Sequence, residues 1–205
     1  MSNIYEAKEW TNLWWDEADK ADGLPRVFLV GDSQTYGFYP EVIKNMEREA
    51  HITALTTSKN IDNSYLIPEF DHVIKQFELQ YDIIHFNNGL HGEHQTDAQE
   101  FADCYERTIN HILKNYPDSK LTLALSPPCY QGENFSEPHE PWFRMAQERN
   151  AKVVALAEKY NLPVDDLFTP MLEHRDLHVP DGIHYNEEGR ALLGQIVSDF
   201  IRQNI

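Results

Sequence analysis

Hydrophobic positions along the chain fall into short apolar runs separated by longer amphipathic stretches. The first strong run is Arg26-Val27-Phe28-Leu29-Val30. Runs of this length bounded by turn residues read as buried strands, and they recur at 27–30, 52–55, 81–86, 121–125 and, more weakly, 163–167. Between them, apolar residues at helical spacing predict helices over 40–49, 63–79, 96–115, 141–160 and 186–204. In the last of these Leu192, Leu193, Ile196, Val197, Phe200 and Ile201 share one face. Strands alternating with helices of this length build βαβ units, so a parallel sheet with helices on both faces is expected. Residues 1–25 stand apart. They are acidic and aromatic, with Trp10, Trp14 and Trp15, and read as a helical extension ending at the Asp22-Gly23-Leu24-Pro25 turn. Neither a repeat nor a composition break divides the rest, which predicts one domain over 1–205.

In such a fold the segments leaving the carboxyl ends of the strands share one rim, where open α/β sheets place their ligands. Gly31-Asp32-Ser33 leaves the first strand, Asn87-Asn88-Gly89-Leu90-His91 the third, and the long proline-rich stretch 126–141 the fourth. Loops of that length in a compact domain often wall a binding site. Tyr130, Phe135 and Trp142 are candidates to line an acyl or sugar site there.

The chain has 205 residues, enough for one well-packed core, with 17 basic against 34 acidic residues and a formal charge of −17. Such a field disfavours nucleic acid and anionic membrane as partners. Cys104 and Cys129 are the only cysteines and lack zinc-type spacing, so they read as buried, reduced thiols. The N-terminus lacks the basic patch and apolar run of a signal peptide, and no apolar stretch reaches membrane-spanning length. A cytoplasmic location is the expectation.

A serine hydroxyl is a weak nucleophile until an imidazole takes its proton and a carboxylate holds that imidazole in the right tautomer. Asp181-Gly182-Ile183-His184 places both groups three residues apart, just before the final helix. In that short loop the carboxylate can reach Nδ1 and leave Nε2 for Ser33. Asp32 reads as structural, bonding nearby backbone N–H groups.

Gly31-Asp32-Ser33, the glycine-bearing segment after the third strand and the block Asp181-Gly182-Ile183-His184-Tyr185-Asn186-Glu187-Glu188-Gly189 together resemble the SGNH (GDSL-type) hydrolases. The resemblance runs from about Arg26 to the C-terminus. It implies a three-layer α/β/α, flavodoxin-like fold with a five-stranded parallel sheet. It also implies an acyl-enzyme mechanism with Ser33 as nucleophile, His184 as base and Asp181 as its orienter, and no metal or organic cofactor. Three positions depart from the family pattern. Gln34 follows the nucleophile where leucine is usual. Ile61 takes the place of the glycine whose N–H faces the oxyanion, and His91 the place of the donating asparagine. The oxyanion donors expected are therefore the Ser33 and Ile61 N–H groups with His91, and Asn87 or Asn88 are alternatives to His91. The Asn-Gly-Leu-His variant resembles the subgroup associated with carbohydrate esters, which implies a small-molecule or oligosaccharide ester, acetyl above all, as substrate.

Other readings compete. With two donor positions altered, the fold can serve a non-catalytic carbohydrate-binding protein. His91 and His94 around Gly92-Glu93 suggest a metal-dependent hydrolase or phosphoesterase, but the spacing is not His-Glu-x-x-His and a third ligand is missing. Trp10, Trp14 and Trp15 offer a sugar-stacking platform, or they cover a core or a contact between copies in a homo-oligomer. Arg149 reads as surface charge and packing, and Asp165 as a solvated strand end.

Overall fold

The computed structural model describes residues 6–16, 19, 21–76, 78–94 and 97–205. In chain order the strands are β1 (Thr11–Trp14), β2 (Arg26–Gly31), β3 (His51–Thr57), β4 (Ile83–Phe86), β5 (Lys120–Ala124), β6 (Tyr130–Gln131), β7 (Glu137–Pro138) and β8 (Val164–Asp165). The α-helices are α1 (Ser33–Asn45), α2 (Leu66–Gln76), α3 (Ala98–Asn115), α4 (Trp142–Tyr160) and α5 (Glu187–Arg202).

The main sheet runs β1-β3-β2-β4-β5-β8, parallel throughout except for β1. Counting only the parallel strands, the order is second, first, third, fourth, fifth, which is the flavodoxin-like winding. Each strand's alternate residues feed opposite layers. Phe28 and Val30 of β2 join a core with Phe70, Tyr105 and Val153, from α2, α3 and α4. Val27 and Leu29 join the other, with Phe38 and Val42 of α1 and Leu193 and Val197 of α5. β2 and β3 are buried along their whole length, the signature of a parallel sheet covered on both faces.

Two sequence expectations need correction. The N-terminal segment contains a strand instead of a helix: Thr11 to Trp14 pairs antiparallel with Thr57 to Ala54, making the sheet six-stranded. Edge pairing to β3 overrides the local pattern here, and Leu13 packs on the core while Trp14 stays exposed. Part of the expected helical extension, at residues 1–5, 17, 18 and 20, lies outside the described residues. The first helix begins at Ser33, well before Pro40. Pro40 suggested a helix start, yet it sits inside α1. The stronger signal is the Asp32 cap, whose side chain accepts from the Gln34 N–H at 2.9 Å.

Candidate active site

Winding direction reverses between β2 and β4, and open α/β sheets bind ligands at that reversal. Ser33 follows β2 directly and opens α1, so its backbone N–H lies at a helix N-terminus. Asp32 fixes the turn. Its carboxylate is fully buried, and besides the Gln34 N–H it accepts from the Leu90 N–H at 3.2 Å and, at longer range, the Gly89 N–H at 3.5 Å. One side chain thus ties the β2 exit to the β4 exit.

The 181–184 loop reaches Ser33 from the far end of the chain. Asp181 Oδ1 accepts from the N–H groups of Ile183 at 2.8 Å and His184 at 2.9 Å. Its Oδ2 lies 2.8 Å from His184 Nδ1. A carboxylate only accepts, so Nδ1 carries the proton and Nε2 presents a lone pair. That Nε2 stands 2.8 Å from Ser33 Oγ, the distance at which the hydroxyl donates to it. Partial burial raises the Asp181 carboxyl, but the His184 ring and the two backbone N–H groups outweigh it and hold the group below the usual carboxylate range.

The loop itself is braced. Gln34 Nε2 donates to Ile183 O at 2.7 Å, joining it to the first turn of α1. Gly182 has φ +70°, and a Cβ there would stand 1.9 Å from Tyr130 O. The Tyr130 N–H donates to Gly182 O at 2.8 Å. Only glycine satisfies both the left-handed angle and this approach of β6.

The candidate oxyanion donors occupy the exits of β3 and β4. Ile61 is buried, with its side chain in the core and its φ outside the left-handed region, so isoleucine fits this turn without strain. His91 Nδ1 lies 2.8 Å from Glu6 Oε1. That contact claims the one N–H of a neutral imidazole, so Nε2 donates only when the ring is an imidazolium. Asn87 Nδ2 donates to Ala124 O at 2.8 Å and Ser126 Oγ at 3.3 Å, which uses both of its hydrogens. Asn88 Nδ2 donates to Lys59 O at 2.8 Å and keeps one hydrogen. Both asparagines are buried.

Arg149 corrects the sequence reading. Instead of surface charge it is a buried guanidinium, donating to the carbonyls of Gly89 at 3.0 Å, His91 at 2.6 Å and Gly92 at 2.8 Å. Burial lowers its pKa to about 10, which leaves it charged at neutral pH. The available signal was helical spacing: Arg149 falls in the α4 stripe of Ala146, Val153, Leu156 and Ala157, all buried. Asp165 is corrected too, since it is buried and paired with His85.

Expected wall residues divide. Tyr130 is 1% exposed, packed against Phe143, His178 and Arg175, so it supports the 126–141 loop from within and presents no surface to a ligand. Phe135 is half-buried against His178. Trp142 lines an open groove of about 600 Å³ with Glu6, Lys8, His91, Glu93 and His94. Ser33 and His184 line a separate cavity of about 230 Å³ with Tyr36, Gly37, Arg190 and Leu193. Among the described residues no three His, Cys, Asp or Glu side chains gather to hold a metal, and His91 and His94 face different carboxylates, Glu6 and Asp62. Cys129 is buried, which pushes its thiol up to about 12, and Cys104 is also buried and outside any disulfide among the described residues. No helix among the described residues is long and apolar enough to cross a membrane.

No protein-family model and no curated protein sequence matches the chain. Solved structures do. The acetyl xylan esterase AlAXEase shares 17% identity at a TM-score of 0.67, covering 86% of this chain and 99% of its own. The native aryl esterase of M. smegmatis shares 15% at 0.67, covering 88% and 100%. A carbohydrate acetylesterase family member from Sinorhizobium meliloti shares 15% at 0.64, covering 88% and 98%. The architecture, a mainly parallel sheet flanked by helices, matches the SGNH hydrolase structures.

Proposed function

We propose that the protein is a serine ester hydrolase that removes a short acyl group, acetyl above all, from a carbohydrate or similar neutral alcohol. The observation that carries this reading is the Asp181–His184–Ser33 chain, with both contacts at 2.8 Å. Ser33 Oγ attacks the ester carbonyl carbon while its proton passes to His184 Nε2, and the carbonyl π pair moves onto oxygen. The tetrahedral adduct collapses, the alcohol oxygen leaves with the proton from Nε2, and an acyl-serine remains. Water then gives its proton to Nε2, attacks the acyl carbon, and the free acid departs as Ser33 is reprotonated. Asp181 stays ionised and stabilises the imidazolium formed in each half.

In this reading the negative oxygen is received by the Ser33 and Ile61 N–H groups and by His91 as an imidazolium, with the remaining Asn88 hydrogen as the alternative. Each well-aimed donor is worth about 3–4 kcal/mol. A neutral alcohol fits a chain of charge −17. An acetyl xylan esterase and a carbohydrate acetylesterase among the structural neighbours support the carbohydrate acetyl substrate. The mechanism draws on the chain's own side chains and backbone N–H groups, and on water. Two buried cysteines outside any disulfide suit a reducing, cytoplasmic setting.

A fluorophosphonate probe, with a panel of acetyl to octanoyl esters and acetylated oligosaccharides, tests the reading. Wild type is expected to label at Ser33 and to favour acetyl, and Ser33→Ala to lose both labelling and turnover while keeping its fold. Full esterase activity in Ser33→Ala would sink the mechanism. Binding of carbohydrate without labelling or turnover would mark a non-catalytic binder.

A further inference from the structure

Few large apolar side chains are exposed among the described residues, and two of them, Trp10 at 36% and Tyr36 at 51%, touch each other. Their ring centroids lie 5.7 Å apart with planes at 64°, an edge-to-face contact that leaves ring surface open to solvent. Tyr36 is three residues beyond Ser33 on α1, hence on the same side of the helix, and it lines the cavity that holds Ser33 and His184. Behind it Tyr39 continues the aromatic cluster, with ring centroids 6.0 Å apart.

Trp10 is held firmly for an exposed residue. Its N–H donates to Ser58 Oγ at 2.9 Å, and its carbonyl accepts from the Ser58 N–H at 3.1 Å and Thr57 Oγ1 at 2.9 Å. These three bonds seat the residue at the exit of β3, beside the turn that carries Ile61. These bonds hold the Trp10 main chain in place beside the site, and the edge-to-face contact with Tyr36 sets the indole against α1.

We propose that Trp10 and Tyr36 form the subsite for a neutral pyranose ring, the alcohol part of the ester cleaved at Ser33. A pyranose presents a patch of C–H groups on one face and hydroxyls at its edge. The face stacks on an aromatic ring, and the edge stays with water and polar groups. Arg190 and Gln34 line the same cavity and supply polar groups there. An acetyl group at the Ser33 carbonyl position is too small to cover two aromatic rings, which leaves the platform to the sugar. The chain's strong negative charge favours a neutral ring over an anionic one. This subsite rests on the proposed serine esterase reading, and the N-terminal strand is what brings Trp10 to it.

The test uses glucose pentaacetate, a pyranose carrying acetyl esters, with ethyl acetate as a ringless comparison. In Ser33→Ala protein, calorimetric titration is expected to show binding of glucose pentaacetate, and the ligand is expected to shift the Trp10 indole N–H signal, assigned through Trp10→Phe. Adding Trp10→Ala or Tyr36→Ala should weaken this binding about fivefold or more, and Trp10→Phe should recover most of it. In otherwise wild-type enzyme, the loss of kcat/KM on glucose pentaacetate should fall on KM. An unmoved indole signal, an equal loss on ethyl acetate, or a KM change confined to long acyl chains would overturn the subsite. Turnover by Ser33→Ala would count against the serine mechanism alone, because Trp10→Ala still reports on KM in that case.

Discussion

Asp181–His184 and Asp165–His85 are the same pair of side chains at nearly the same separation, 2.8 Å and 2.9 Å. Their surroundings differ in every respect that matters. The first pair lies three residues apart in one loop, with side chains 48% and 42% exposed, and its free imidazole nitrogen meets a serine hydroxyl. The second pair joins β4 to β8 across β5, is sealed from solvent, and has a His85 Nδ1 with no partner among the described residues. A short carboxylate–imidazole distance therefore does not identify a catalytic dyad. In the proposed reading, a nucleophile on the second nitrogen and access for substrate are what set the Asp181–His184 pair apart. The buried pair instead pins the weak two-residue strand β8 to the sheet, through a polar contact that is expensive to break.

Variants at the two pairs should separate these roles. His184→Ala is expected to lower kcat about ten-thousandfold, and Asp181→Asn about a thousandfold, with thermal melting little changed. A melting loss in His184→Ala comparable to its activity loss would erase the distinction. Asp165→Asn leaves His85 buried without its carboxylate, and urea unfolding should show a loss of about 3 kcal/mol while kcat per folded molecule stays within about twofold. Arg149→Met removes three donors from the carbonyls of Gly89, His91 and Gly92. It should lower kcat about tenfold through misplacement of the β4 exit, and lower stability as well.

The smallest effect concerns acid. Asp181 is held below its ordinary value of 3.8, so its stabilising contribution is complete above that pH and is lost as pH falls through the lower, folded value. Asp181→Asn should therefore lose less stability than wild type between pH 5 and pH 3, read by urea unfolding at about each of those values.

The sequence carried what is local or periodic. Each buried strand showed as an apolar run, and Asp181 with His184 was legible because both sit in one loop. Ser33 was readable from its place at the end of the first such run. What escaped was set by partners distant in sequence. β1 becomes a strand because β3, whose paired residues lie 40 to 46 positions later, offers an edge. Asp165 looked solvated because its partner His85 is eighty residues away. Arg149 resembled any helix cation until the β4 exit supplied three carbonyls. The role available to His91 depends on Glu6, another long-range contact, and a family pattern that begins near Arg26 gives no hint of it.

The antiparallel strand at the sheet edge has a consequence for handling the protein. β3 is seven residues long, buried throughout, and reads His-Ile-Thr-Ala-Leu-Thr-Thr. Uncovered, it would present a row of unpaired amides and carbonyls with few charges to deter a second chain. β1 covers that row with a short, half-exposed strand, and at the opposite border β8 is only two residues long. Both borders of the sheet are thus poor templates for intermolecular pairing. A shortened version lacking the first fifteen residues would uncover β3, and its first symptom should be self-association during expression.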